Sequence, residues 1–196
     1  MQKSMIIVGA GISGLSTGCY AQMNGYRTVL FESHQVPGGL CAAWTRKGYK
    51  FDISMHLLAN SKSGPFKKMW DELAVTKNQE FIYHDRLIAG ETADALEKKW
   101  PGFKSKIEVT DVPTPMTYVR YTGNWKGSVD GWYITPENMM KQEMKRTLPG
   151  LENLYMVGHW TAPFTGTVMA AQSGRQLIQI LCKKDRRPFV TTAGGA

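Results

Sequence analysis

The chain has 196 residues and a formal net charge of +8, with 42% hydrophobic and 20% charged residues, an ordinary balance for a soluble globular protein with one core. No apolar run approaches the roughly 20 residues needed to cross a bilayer, and no secretory leader is expected from the short run Met5-Ile6-Ile7-Val8, which reads as a buried strand. The basic clusters at Lys67-Lys68, Lys98-Lys99, Lys104/Lys106 and 183–187 are short and carry no nucleic-acid motif. They read as solvated faces and a basic tail, with phosphates or an anionic membrane surface as the partners they would attract and nucleic acid not expected. Cys19, Cys41 and Cys182 form no CxxC pair, and an odd count argues against a disulfide framework. They are expected as small core or near-core residues in a reducing, cytoplasmic setting, and no metal site is expected.

Taken in chain order, residues 5–9 read as a strand, 13–24 as a helix capped by Gly25, and 28–32 as a second strand. Gly38-Gly39 opens a loop, and 48–53 reads as a strand or hairpin arm. A helix with Ser63 as its cap and Pro65 in its first turn places Phe66, Met69, Trp70 and Leu73 on one face. Residues 91–100 suggest another helix, stopped by Pro101-Gly102. Residues 107–134, rich in Thr, Tyr, Pro and Gly, suggest strands and turns. A helix over 135–147, a buried strand over 153–158 and a helix over 166–183 follow, the last with Val168, Ala171, Leu177, Ile178 and Leu181 as its apolar positions. Residues 191–196 form a loose tail.

The strongest signal is Gly9-Ala10-Gly11-Ile12-Ser13-Gly14, set between the first strand and the first helix. Gly9 permits the tight turn, Gly11 lets a pyrophosphate approach the backbone, and Gly14 lets the helix pack on the sheet. The helix start then offers free N–H groups and a partial positive charge to phosphates. Glu32, at the end of the second strand, is placed to accept ribose hydroxyls and disfavours a 2′-phosphate, which argues against NADP.

Further motifs extend this reading. Glu32-Ser33 leads to Pro37-Gly38-Gly39, and Gly48-Tyr49-Lys50-Phe51-Asp52 follows. Thr114-Pro115-Met116-Thr117 precedes Arg120-Tyr121-Thr122-Gly123-Asn124. Near the C-terminus stand Asn153-Leu154-Tyr155-Met156-Val157-Gly158, Gly166-Thr167 and Ala171-Gln172-Ser173-Gly174. Over residues 1–85 and 92–182 the chain resembles the FAD-dependent phytoene desaturase, carotenoid isomerase and retinol saturase group, a branch of the glutathione-reductase-like flavoproteins. The resemblance implies FAD as cofactor. It implies contacts from Ser33, Gly38, Gly39, Leu40, Gly158, His159, Gly166, Thr167 and Val168, with the last helix aimed at the flavin edge that becomes negative on reduction.

The resemblance also implies an α/β fold: a Rossmann-like FAD-binding domain with a parallel central sheet, helices and a small β-meander. Its N-terminal half is 1–86, a junction lies at 87–90, the C-terminal half is 91–185, and the tail is 186–196. The large substrate domain of the group is missing at the junction, so the chain is expected as an excised or naturally short FAD domain with doubtful turnover. Former domain-facing surface at Trp44, Met55, Trp125, Trp132 and Trp160 would then favour self-association. Two positions depart from the group. Gly39-Leu40-Cys41 stands where Gly-Gly-Arg is frequent, which removes an arginine contact. Gly158-His159 ends the last strand, and His159 either bonds the cofactor or bonds nothing. Covalent flavin attachment through His56, His159 or Cys41 is not expected.

Asp52, His56 and Arg120 are the polar residues to follow near the flavin, and no catalytic acid or base is evident. The expected substrate of the group is apolar, for example a polyene. Two other readings stay open: a non-catalytic module holding FAD or ADP, and an NAD-dependent Rossmann dehydrogenase.

Overall fold

A strand, a helix and a parallel strand open the chain, and the last helix packs against the first. The computed structural model describes residues 2–52, 58, 61–79, 97–106, 108, 115–128, 145–162 and 165–191. Strands β1 (Ser4–Val8) and β2 (Arg27–Phe31) pair in parallel with Ser4 opposite Arg27 and Val8 opposite Phe31. Helix α1 (Ile12–Met23) makes the crossover between them, as a parallel pair requires. It ends at Asn24, and Gly25 follows at φ 72°, the left-handed cap expected from the sequence.

Strands β3 (Ala43–Arg46) and β4 (Tyr49–Asp52) form an antiparallel hairpin across the Lys47-Gly48 turn, both turn residues having positive φ. Of the expected meander, this hairpin is what the described residues contain. The parallel sheet has two strands there. Helix α2 (Lys67–Glu72) starts later than Ser63 and Pro65 suggest, because Pro65-Phe66 forms a turn in which the Lys67 N–H bonds the Gly64 carbonyl. Its apolar face holds: Met69 and Trp70 are buried, with Phe66 and Leu73 packed beside them. Helix α3 (Pro115–Thr122) and helix α4 (Thr167–Lys184) complete the framework.

Three expectations need correction. Residues 115–122 are helical rather than strand and turn. Pro115 occupies the first helical position, where its fixed φ and missing N–H cost nothing, and Gly123 ends the helix at φ 67°. The β-branched and aromatic residues between them are carried into the helix by packing. Residues 153–158 are not a sheet strand. Asn153 turns at φ 61°, the Met156 N–H bonds the Arg146 carbonyl, and the Gly158 N–H bonds Ser173 Oγ at 2.8 Å, so these donors serve local partners instead of a ladder. Residues 145–147 are not helical, while 135–144 lie outside the described residues. So do the 87–90 junction, 91–96, His56, Met55, Trp132 and residues 192–196 of the tail; 97–99 are helical.

The core lies between α1, α2 and α4. Tyr20, Ala21, Tyr26, Met69, Trp70, Ala171, Leu177, Ile178, Leu181 and Cys182 form one buried cluster. The two long helices approach closely. Ser16 Oγ donates to the Ala171 carbonyl at 2.7 Å, and a Cβ added to Gly174 would stand 2.7 Å from both Thr17 N and Thr17 Oγ1. Asn24, buried, binds the chain after α4: its amide nitrogen donates to the Val190 carbonyl and its oxygen accepts the Val190 N–H, each at 2.8 Å. Of the cysteines, Cys182 is in the core, Cys41 is half-buried, and Cys19 lies on the exposed face of α1, away from the expected interior place. Trp125 is exposed, while Trp44 and Trp160 are half-buried. The outward face of the β1–β2 sheet presents Ile6, Val8, Val29 and Phe31 to solvent.

Glu72 links α2 to the other two helices. Its Oε2 accepts Tyr20 Oη at 2.6 Å and Arg175 Nε at 2.9 Å. Burial pushes its carboxyl up, but the Arg175 and Tyr20 bonds outweigh that and hold it below the ordinary glutamate range. A lowered folded pKa stabilises the fold at pH above the ordinary value and loses that contribution as pH falls through the folded one. Glu72→Gln is therefore expected to be less stable than the parent at pH 7, with the gap closing on acidification below about pH 4; urea unfolding at both pH values measures it. Gly174→Ala is expected to cost about 1–3 kcal/mol by overpacking the helix crossing, read as a lower urea midpoint.

Candidate functional site

The glycine loop is built by its neighbours. The Gly9 N–H bonds the Phe31 carbonyl at 2.7 Å, which ties the end of β1 to β2. Gly9 then turns at φ 100°. Gly14 is buried, and a Cβ there would collide with the Gly9 carbonyl and stand 3.3 Å from Ile7 Cγ2, so only glycine lets α1 sit this close to β1. Gly11 is different. A Cβ added there meets nothing within 4 Å, which leaves open space beside the backbone at the helix start. Gly11 precedes α1 without a side-chain cap bond, and no acid stands in the first turn. The first N–H groups of α1 are thus left for an outside acceptor.

Glu32 follows β2 and closes the loop from the other side. Its Oε2 accepts the Ala10 N–H at 2.6 Å and its Oε1 accepts the His34 N–H at 2.8 Å. The His34 and Ala10 backbone bonds, in that order, hold the carboxyl below the ordinary glutamate range. Oε1 also accepts Ser33 Oγ at 3.4 Å, while Oε2 retains acceptor capacity for a further donor. The Gly38 N–H bonds the Ala10 carbonyl at 2.8 Å, and Gly38 turns at φ 121° to start a 3₁₀ turn over Gly39–Cys41. This brings the second glycine pair against the first.

These parts line one cleft of about 750 Å³. Gly9, Gly11, Ile12 and Ser13 form one wall. Glu32, Ser33, Gly38, Gly39 and Leu40 form the next. Gly158, His159, Gly166 and Thr167 come from the C-terminal half of the chain. The residues singled out from distant parts of the sequence therefore meet in one place. Ala10, Gly14 and Val168 do not line it. Ala10 contributes its backbone to Glu32, Gly14 its smallness, and Val168 packs against the core.

The start of α4 joins the cleft through Gly166 at φ 97°, again without a side-chain cap bond or a first-turn acid. Ser173 and the Gly158 turn fix the approach: Ser173 Oγ accepts the Gly158 N–H and donates to the Ala170 carbonyl at 2.8 Å. His159 is buried and makes an edge contact with Trp160, ring centroids 4.9 Å apart. Cys41 lines the cleft 3.9 Å from Thr167 Oγ1, and burial pushes its thiol pKa up, which keeps it a protonated, unreactive group near neutrality.

Helix α3 is the wall that sequence reasoning missed. Tyr118, Arg120 and Tyr121 of α3, with Asn124 just beyond its end, line the cleft, and Arg120 is the only lysine or arginine that does so among the described residues. Pro115 at a helix start was the available signal. Arg120 thus stands at the site, as considered from the sequence, whereas Asp52 pairs with Ala43 at the edge of the hairpin and lines no part of the cleft. Among the described residues there is no cluster of three or more metal-binding side chains, and no helix is long and apolar enough to cross a membrane.

Comparison with known proteins gives the same picture for the N-terminal part. Residues 7–73 match the NAD(P)-binding Rossmann-like domain family. The chain is 30% identical over 114 residues to the 15-cis-phytoene desaturase, chloroplastic/chromoplastic, of Narcissus pseudonarcissus, covering 57% of this chain and 19% of that protein. It is 33% identical over 58 residues to the phytoene desaturase of Fusarium fujikuroi, covering 30% of this chain and 10% of that one. It is 29% identical over 65 residues to the inactive all-trans-retinol 13,14-reductase of Danio rerio, covering 33% and 11%. The chain thus spans about a fifth or less of the length of these relatives.

Removing the Glu32 carboxylate leaves the Ala10 and His34 N–H groups without their acceptor. Glu32→Ala is expected to cost about 1–3 kcal/mol and Glu32→Gln less, since the amide oxygen still serves one donor; urea unfolding of the two variants side by side tests this order.

Proposed function

We propose, from the premise that this chain carries a dinucleotide-binding Rossmann-like unit shared with phytoene desaturases, that the dinucleotide is FAD. The chain would then be the FAD-binding part of a desaturase- or isomerase-like flavin oxidoreductase acting on an apolar substrate, with turnover dependent on parts that roof the flavin. The observation that carries this reading is the meeting of two helix starts, α1 and α4, in one cleft. A simple NAD site needs only the first. A second helix start from the far end of the sequence suits a longer ligand whose other end also becomes anionic.

The residues present fit such a group. The open space at Gly11 admits a pyrophosphate to the backbone, and Arg120 supplies a fixed positive charge in the same cleft. The N–H groups at the start of α1 would bond the phosphate oxygens. The remaining acceptor capacity of Glu32 would take the ribose hydroxyls, and its negative charge would turn away a 2′-phosphate. Gly166 and Thr167 would present the α4 start to the far end of the ligand. When bound, FAD supplies hydride acceptance and return. The chain's own residues bind it, orient it and set the charge around it.

The purified protein is expected to carry or take up FAD with a yellow flavin spectrum, and chromophore release identifies it. Uptake of NAD with no affinity for FAD would favour the dehydrogenase reading. FAD bound without turnover on polyene acceptors would favour the non-catalytic module. Gly11→Ala is expected to leave the unfolding midpoint near that of the parent, since its Cβ meets no protein atom, while weakening FAD roughly 10- to 100-fold, the worth of about one charge-assisted hydrogen bond. Equilibrium titration of parent and variant measures the second half of that expectation.

A further inference from the structure

Resting on the dinucleotide reading above, we infer that Tyr121 and His34 form the adenine-binding element of the cleft, so that α3 sets the base specificity of a site whose phosphate chemistry belongs to α1. Both residues line the cleft, and their rings pack in a tilted contact with centroids 5.0 Å apart and planes at 49°. They come from positions far apart in the sequence, so no local turn forces the pairing. His34 stands two residues beyond Glu32, whose Oε1 holds the His34 backbone N–H. On the reading above the ribose would bond Glu32, and Ser33, His34 and Tyr121 line the same cleft as candidates to meet its base.

The Tyr121 ring is held before any ligand arrives. Trp44, stacked on Phe51 at 5.7 Å and 20°, packs against Tyr121 at 6.4 Å. The Arg120 guanidinium lies 6.0 Å from the Tyr121 ring centroid. A purine offers a flat π-face of the kind aromatic side chains accept, and stacking against a ring already fixed in place spends little rotamer freedom. Phosphate-binding groups alone do not distinguish a nucleotide with a base from one without. The aromatic pair does.

The test uses the full chain and three probes: ADP, FAD and FMN, which shares the flavin and a phosphate but lacks the adenine. Tyr121→Ala is expected to weaken ADP and FAD about 5- to 150-fold, the range for loss of one base–aromatic stack, and to leave FMN affinity unchanged. Tyr121→Phe, which keeps the ring, is expected to bind all three like the parent. Far-UV circular dichroism and the urea midpoint establish that each variant folds. If Tyr121→Ala does not fold, His34→Ala is measured in its place against His34→Phe, with the same expected pattern. Parent-like ADP binding by the folded alanine variant would overturn the inference while leaving the dinucleotide reading in place. An equal loss of FMN would also overturn it, since the defect would then lie outside the base. A parent chain that binds neither ADP nor FAD would overturn both readings.

Discussion

Where α4 crosses α1 there is no room for a side chain. Gly174 lies against Thr17 and the Ser13 carbonyl at distances a Cβ would bring to 2.7–2.9 Å, and Ser16 bonds across to the Ala171 carbonyl. That contact joins the first and last helices of the described fold. Gly14 then seats α1 on β1, so the position of α4 is fixed relative to the glycine loop through two successive close approaches. The convergence of both helix starts on one cleft follows from this stacking. A bulkier residue at either glycine would separate the halves of the site before it touched a ligand.

Glu32 shows a second kind of dependence. The same carboxylate closes the glycine loop through Ala10, positions the next segment through His34, and faces the cleft. It is a structural latch that also lines the cleft, and the latch bonds to His34 and Ala10 explain why it is held ionised below the ordinary glutamate range. Asn24 plays a comparable role at the opposite end of the molecule, using its amide oxygen and nitrogen to hold the chain that leaves α4.

Much of this was legible in the sequence where one residue type had one physical reason to be present. Gly9 and Gly14 each met a distinct steric requirement, a left-handed turn and a close helix–strand approach, and the β1–α1–β2 unit followed from them. The C-terminal helix was readable from its apolar spacing. Two regions were not. Residues 115–122 carry Thr, Tyr and Val, whose intrinsic preference is extended, and the helix there depends on Pro115 at its start and on packing against the Gly39–Cys41 turn. Residues 154–157 have the apolar run of a buried strand, yet the Met156 and Gly158 donors are taken by Arg146 and Ser173, residues whose proximity only the tertiary fold creates. The aromatic wall of the cleft was hidden for the same reason, since His34 and Tyr121 are neighbours only once α3 is in place.

The absence of acids in the first turns of α1 and α4 carries a consequence for the environment in which the cleft works. Backbone amides at these helix starts would supply much of any attraction for an anion, and they neither gain nor lose a proton over the range in which proteins stay folded. Acidification leaves those amides unchanged but protonates Glu32, the carboxylate latch of the same cleft, as pH falls through its lowered value. Ionic strength acts on the helix starts instead, because mobile ions screen a fixed dipole at the mouth of an open cleft as they screen any charge. Salt and acidity would thus act on different parts of one cleft, the first on its helix starts and the second on Glu32.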